Sequence, residues 1–93
     1  MQGQGKKSLE AIRKEMKELL VVNLELEDIT PEEIKDDELL FEEGIGLDSL
    51  DAVEIVVLLE RNYGLAIVDE EQARGIFQSM DTLSRWVYDN LKQ

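Results

Sequence analysis

GLDSLDAVEIVVLLERNYG, residues 46–64, is the stretch whose reading decides the fold of this chain. From Ser49 to about Tyr63 it is rich in apolar residues and contains neither Gly nor Pro, which predicts a strong helix. Gly44 and Gly46 punctuate the chain before it, and Asn62 to Gly64 stop it. Asp48 is well placed as the N-cap, so Ser49 falls in the first turn, beside unpaired backbone amides and the positive end of the helix dipole. On a helical wheel this segment has two apolar faces. Ile55 and Leu59, flanked by Ala52 and Val56, are expected to face the core. Leu50, Val53 and Val57 lie opposite, interleaved with Glu54, Glu60 and Arg61. That second face is either a docking surface for a basic partner with apolar pockets or a surface buried beneath the preceding loop.

Working outward, Leu9, Ile12, Met16, Leu19 and Leu20 recur at helical spacing after a capping Ser8, predicting a first helix from Leu9 to about Asn23. Leu24 and Leu26 then alternate as in a strand, but a lone strand would have no partner. Thr30-Pro31-Glu32-Glu33 reads as a helix start with Pro at the first position. The region from Leu24 to Gly46 is therefore expected to be a long loop holding one short helical turn, pinned to the core by Leu39, Leu40 and Phe41; such loops are uncommon unless functional. Beyond the decisive helix, Asp69-Glu70-Glu71 opens a short third helix through about Gly75. Ser79 can cap a last helix whose face is Leu83, Trp86, Val87 and Leu91. Residues 1–7 (MQGQGKK) read as a disordered leader, leaving 8–93 as one folded domain. The expected fold is all-α, a bundle of three longer helices and a short third one with a long loop between helices one and two.

Composition narrows the function. At 93 residues the chain supports one modest core. Its 22 acidic against 10 basic residues give a net charge of −12, which disfavours nucleic acid and anionic lipid and favours basic protein surfaces. There is no Cys, hence no disulfide framework or thiolate metal site, and no His, which removes the commonest general base and the Ser-His-Asp arrangement. No apolar run approaches the roughly 20 residues needed to span a bilayer. A cytoplasmic monomer without a metal site is expected. Asp36-Asp37-Glu38 and Glu42-Glu43 do not match EF-hand spacing and read as solvated faces.

The run Gly46-Leu47-Asp48-Ser49-Leu50-Asp51, continued by Val53-Glu54-Ile55 and Leu58-Leu59-Glu60, closely resembles the phosphopantetheine attachment site of acyl carrier proteins. The resemblance extends over about Leu9 to Leu91 and includes the Gly64-Leu65-Ala66-Ile67-Val68-Asp69-Glu70-Glu71 segment. It implies an acyl-carrier-protein-like four-helix bundle that does no catalysis itself. A separate, magnesium-using phosphopantetheinyl transferase would attach the 4′-phosphopantetheine arm of coenzyme A to Ser49. Asp48 would help position the Ser and the metal during that transfer. Asp51, Glu54 and Glu60 match acidic positions that contact basic docking patches on ketosynthases and other acyl-processing enzymes, and Leu50, Val53 and Val57 supply the apolar stripe. Acyl intermediates of fatty-acid, polyketide or related lipid biosynthesis would ride as thioesters on the arm's thiol, sheltered in part among Leu59, Ile67, Phe77 and Val87.

Four departures from the fatty-acid-synthesis pattern point to a specialised rather than a housekeeping member. They are Arg61 after Glu60, Val68 in place of a Pro, a longer Ala73-Arg74-Gly75-Ile76-Phe77-Gln78-Ser79 segment, and the approach from Leu40 to Leu47. A hydrolase using Ser49 is disfavoured, since the chain lacks both His and a Gly-x-Ser-x-Gly elbow. A peptidyl cargo and an acidic adaptor without a prosthetic group remain the competing readings.

Overall fold

The computed structural model describes residues 7–41 and 44–91. The order is α1 (Leu9–Asn23), a 3-10 turn (Pro31–Glu33), α2 (Ser49–Tyr63), α3 (Glu70–Ile76) and α4 (Met80–Leu91). Helices and loops make up the described residues, with two isolated β-bridges, as expected of an all-α bundle. The leader, apart from Lys7, and the Glu42-Glu43 pair lie outside the described residues. Lys7 belongs with the fold: its Nζ is 2.8 Å from Glu15 and 5.9 Å from the centre of the Tyr63 ring.

Local chemistry sets the helix ends. The Ser8 side chain accepts the Ala11 N–H and opens α1. Ser79 and Thr82 cap α4 reciprocally, the Thr82 N–H donating to Ser79 Oγ at 3.2 Å and the Ser79 N–H to Thr82 Oγ1 at 2.9 Å. Gly64 ends α2 at φ 69°, donating its N–H back toward Glu60 and Leu59. α3 runs one residue past Gly75, because Ile76 is buried and the Phe77 N–H continues the ladder to the Ala73 carbonyl at 2.8 Å.

α1 packs chiefly on α4, and α2 and α3 also lean on α4. The core joins Ile12, Met16 and Leu20 of α1 to Ile55, Leu58 and Leu59 of α2 and Met80, Leu83 and Val87 of α4, with Phe77 and Leu40 closing it from the connections. Leu58 adds to the expected core face of α2. Ile55 and Leu59 are buried as expected, and Ala52 and Val56 are half-buried, packed against the core while also bordering a hollow toward α3.

The long loop is held by backbone pairing. The Met80 N–H donates to the Glu38 carbonyl at 2.8 Å and the Leu40 N–H to Gln78 at 3.3 Å, while the Leu47 N–H donates to Leu40 at 3.0 Å. Residues 38–41 are thus tied on one side to the α3–α4 connection and on the other to the approach to α2. In this extended stretch successive side chains alternate. Leu40 is fully buried and Phe41 packs half-buried against the core, whereas Leu39 is 42% exposed, so Leu40 and Phe41 pin the loop and Leu39 does not. Leu24 and Leu26 form no strand; both are half-buried against the core.

An ion-pair cluster clasps the same loop to the helices. Arg13 Nη2 reaches Asp81 at 2.9 Å and its Nη1 reaches Asp36 at 3.5 Å. Lys17 meets Asp36 and Arg85 meets Asp81, each at 2.8 Å. The Lys17 hydrogen bond holds the Asp36 carboxyl below its ordinary range; burial opposes it, and the Lys17 and Arg13 charges add to the lowering. Arg85 first and Arg13 second do the same for Asp81.

Candidate functional site

Ser49 is the first residue of α2 and is exposed. Asp48 is its N-cap, and the two acids flanking Ser49 form a reciprocal box: the Asp51 N–H donates to Asp48 Oδ1 and the Asp48 N–H to Asp51 Oδ2, both at 3.0 Å. The box fixes the start of the helix and satisfies the third-position amide. Among the described residues, the N–H groups of Ser49 and Leu50 have no acceptor. Two free amides at the positive end of a 15-residue helix, beside an exposed hydroxyl, suit an anion esterified to that oxygen.

The approach to Ser49 is shaped by two glycines, Gly44 and Gly46. Gly44 lies so close to the backbone of Leu39 that a Cβ there would fall onto the Leu39 carbonyl, and the neighbouring Ile45 N–H donates to that same oxygen at 2.8 Å. Gly46 holds φ at 85°, a left-handed conformation that other residues adopt at a cost. Leu47 is buried and anchors the turn, which delivers Asp48 and Ser49 to the surface.

Below Ser49, between α2 and α3, lie two adjoining hollows of about 480 and 320 Å³. Ser49, Ala52, Glu70, Ala73 and Phe77 border both; Leu39, Phe41, Arg74 and Gln78 complete the larger, and Val53, Val56, Ile67, Val68 and Asp69 the smaller.

Residues predicted from the sequence to meet partners are distributed unevenly. Leu50 is 77% and Val53 61% exposed, which excludes their burial under the loop. Glu60 is exposed, Glu54 and Val57 are half-buried, and Asp51 is half-buried with its carboxylate in the capping box. Of the expected cargo shelter, Leu59 and Val87 are wholly within the core, whereas Ile67 and Phe77 line the hollows. Sequence reasoning gave no role to Val68, which is 92% exposed and borders the same hollow as Ser49 and Val53. As the residue preceding the Asp69 cap it stands where a side chain commonly packs onto its own helix; its exposure is the signal that only the structure supplies. No group of acidic side chains able to hold a metal ion occurs among the described residues.

The geometry is thus an exposed serine on the first residue of α2, above a hollow between α2 and α3. Comparison with known proteins gives that geometry a family. A family model described as a phosphopantetheine attachment site matches residues 11–75. An acyl carrier protein of Wolinella succinogenes is 44% identical over 61 residues, covering 66% of this chain and 75% of that protein. One of Sulfurovum sp. (strain NBC37-1) is 38% identical over 61 residues, covering 66% and 76%. The chain belongs to the acyl carrier protein family, and its prosthetic group is a covalently attached 4′-phosphopantetheine.

Proposed function

We propose that Ser49 carries the phosphopantetheine arm and that the chain presents acyl thioesters on it to enzymes of fatty-acid, polyketide or related lipid biosynthesis. The observation that carries this reading is the exposed Ser49 hydroxyl on the first residue of α2, beside two amides without acceptors. These residues fit the group: the Ser49 and Leu50 N–H groups would hold the phosphodiester, and the hollow of about 480 Å³ has the size of a ligand pocket. When bound, the arm supplies the thiol that a Cys-free chain lacks. The protein's own part is to present the hydroxyl, orient the arm and offer a docking face. A phosphopantetheinyl transferase would act on Ser49 in the cytoplasm, with coenzyme A as donor and Asp48 positioning the Ser.

Leu50 and Val53, exposed one turn apart, form the apolar part of that face, with Glu54, Val57 and Glu60 around them and Asp51 behind. Apolar side chains with acids at their rim suit a basic ketosynthase or similar partner, the charges hastening encounter and setting register. An arm running from Ser49 into the hollows would pass Ala52, Ala73, Phe77 and Ile67, and an acyl chain on its thiol would reach Leu59 or Val87 only if the core parted.

The test is intact mass. With a broad-specificity transferase and coenzyme A the protein gains one phosphopantetheine and Ser49→Ala gains none. A wild-type chain that stays unloaded would leave the acidic-adaptor reading.

A further inference from the structure

We infer that Arg74 is the positioning residue that holds the phosphodiester of the arm against the wall of the α2–α3 groove. The inference rests on Ser49 as the attachment point.

Arg74 and Ser49 border the same hollow. Three charged side chains line the two hollows below Ser49, Asp69, Glu70 and Arg74, and Arg74 is the one cation among them. It is exposed and makes no ion pair with a described residue, in contrast to Arg13 and Arg85, both committed to Asp81. Its position is conspicuous in a chain of net charge −12 whose Ser49 is flanked by Asp48 and Asp51. A phosphodiester on Ser49 would bring one more negative charge into that setting. The free amides of Ser49 and Leu50 answer it only with partial charges, and Arg74 answers with a whole one. A guanidinium fork also matches two phosphate oxygens at once, which an ammonium cannot do.

The neighbours of Arg74 fit the same purpose. Glu70 lies one turn earlier on α3, at the spacing from which its carboxylate would compete with the phosphodiester for the guanidinium. Gln78 follows Arg74 along the wall with an amide able to pair with the polar part of the arm. An arm lying over Arg74 would rest on Phe41, Ala73 and Phe77; an arm that lets go would swing out to a partner. Arg74 thus biases the arm between a docked and an extended position.

The experiment loads wild type, Arg74→Gln and Arg74→Lys with the arm, confirms loading by intact mass, and attaches a nitroxide to the terminal thiol. Paramagnetic broadening of the Ala52, Ala73 and Phe77 amides then reports the docked fraction. In wild type these amides broaden, loading shifts the Arg74 Nε–H, and the ³¹P resonance of the loaded wild type differs from that of loaded Arg74→Gln. In Arg74→Gln the docked-to-extended ratio falls about two- to fivefold, the range for an exposed ion pair, and Arg74→Lys recovers part of it. High salt lowers wild type toward the Gln variant. Equal broadening and an identical ³¹P resonance in all three loaded proteins would overturn the role of Arg74 while leaving the carrier reading intact. If wild type gained no arm, both readings would fall.

Discussion

Replacing Gly44 by alanine puts a Cβ onto the backbone carbonyl of Leu39, which cannot swing aside as a side chain would. The loop must move, and two hydrogen bonds move with it: Ile45 N–H to Leu39 at 2.8 Å and Gly44 N–H to Phe41 at 3.2 Å. At about 0.5–1.5 kcal/mol net for each bond, the loss is about 1–3 kcal/mol. A chain of 93 residues has roughly 5–14 kcal/mol in all. The midpoint of thermal unfolding, followed by far-ultraviolet circular dichroism, is therefore expected to fall by roughly 5–20 °C. Because the displaced turn leads straight into Asp48 and Ser49, phosphopantetheine transfer should also slow, by about 10- to 100-fold in kcat/KM. Gly75→Ala is the control of opposite sign: its Cβ meets nothing within 4 Å, and the residue lies inside α3. Alanine there should raise stability by about 0.4–1 kcal/mol. A Gly44→Ala protein that melts within about 1 °C of wild type and loads at the same rate would refute the argument that the loop folds tightly over Leu39.

Leu50→Glu and Val53→Ala should weaken capture by a partner enzyme by about fivefold or more in surface plasmon resonance, yet alter the unfolding free energy by less than about 0.5 kcal/mol, because both side chains stand in solvent. Leu59→Ala does the reverse at the level of folding: it leaves a cavity beneath α2 and costs about 2–5 kcal/mol in urea unfolding. The carboxyls of Asp36 and Asp81 are held below the ordinary range, so their contribution is present above the usual carboxylate pKa of about 4 and lost as pH falls through the lower folded-state values. Asp81→Asn should accordingly lower stability by about 1 kcal/mol at neutral pH, a deficit that shrinks as both proteins are acidified below about pH 4; a deficit unchanged at pH 3 would show that the clasp is not ionic. Tyr63 donates its hydroxyl to Glu15 at 2.8 Å, and burial, with that bond second, raises its pKa well above the normal phenol value. Tyr63→Phe should cost about 1 kcal/mol, measured by thermal unfolding.

The sequence was most legible where a cap coincides with a clear period. Ser8 and Asp48 each accept an amide at the third helical position, and between them and Asn23 or Gly64 the apolar spacing is uninterrupted, so α1 and α2 run as read. Gly75 misled by one residue, since a glycine ends a helix only where the following side chain has no better place, and Ile76 has the core. The wheel found the polarity of α2 but left Leu58 off its core face. It could not foresee that Ala52 and Val56 face a hollow, because the width of that hollow depends on where α3 lies. The long loop was the least legible region, for its order comes from pairing between residues 38–40 and 78–80, distant in sequence and without side-chain signature.

That pairing also explains why this family site needs more than its Asp-Ser-Leu-Asp run. The box of Asp48 and Asp51 would form on any helix start of this sequence, and it fixes only the direction in which Ser49 points. What lies beneath Ser49 is set elsewhere: Leu39 and Phe41 come from the loop, Phe77 and Gln78 from the α3–α4 connection, and the bonds Leu40 to Gln78 and Met80 to Glu38 join the two. Loosening the loop would therefore open the hollow without touching the serine. Variants of the clasp, such as Asp36→Asn, should then leave loading by the transferase near wild type but reduce broadening of Ala73 and Phe77 by a spin-labelled arm. Equal losses of loading and of broadening would place the defect in the helix start, and the loop would have no separate part in holding the arm.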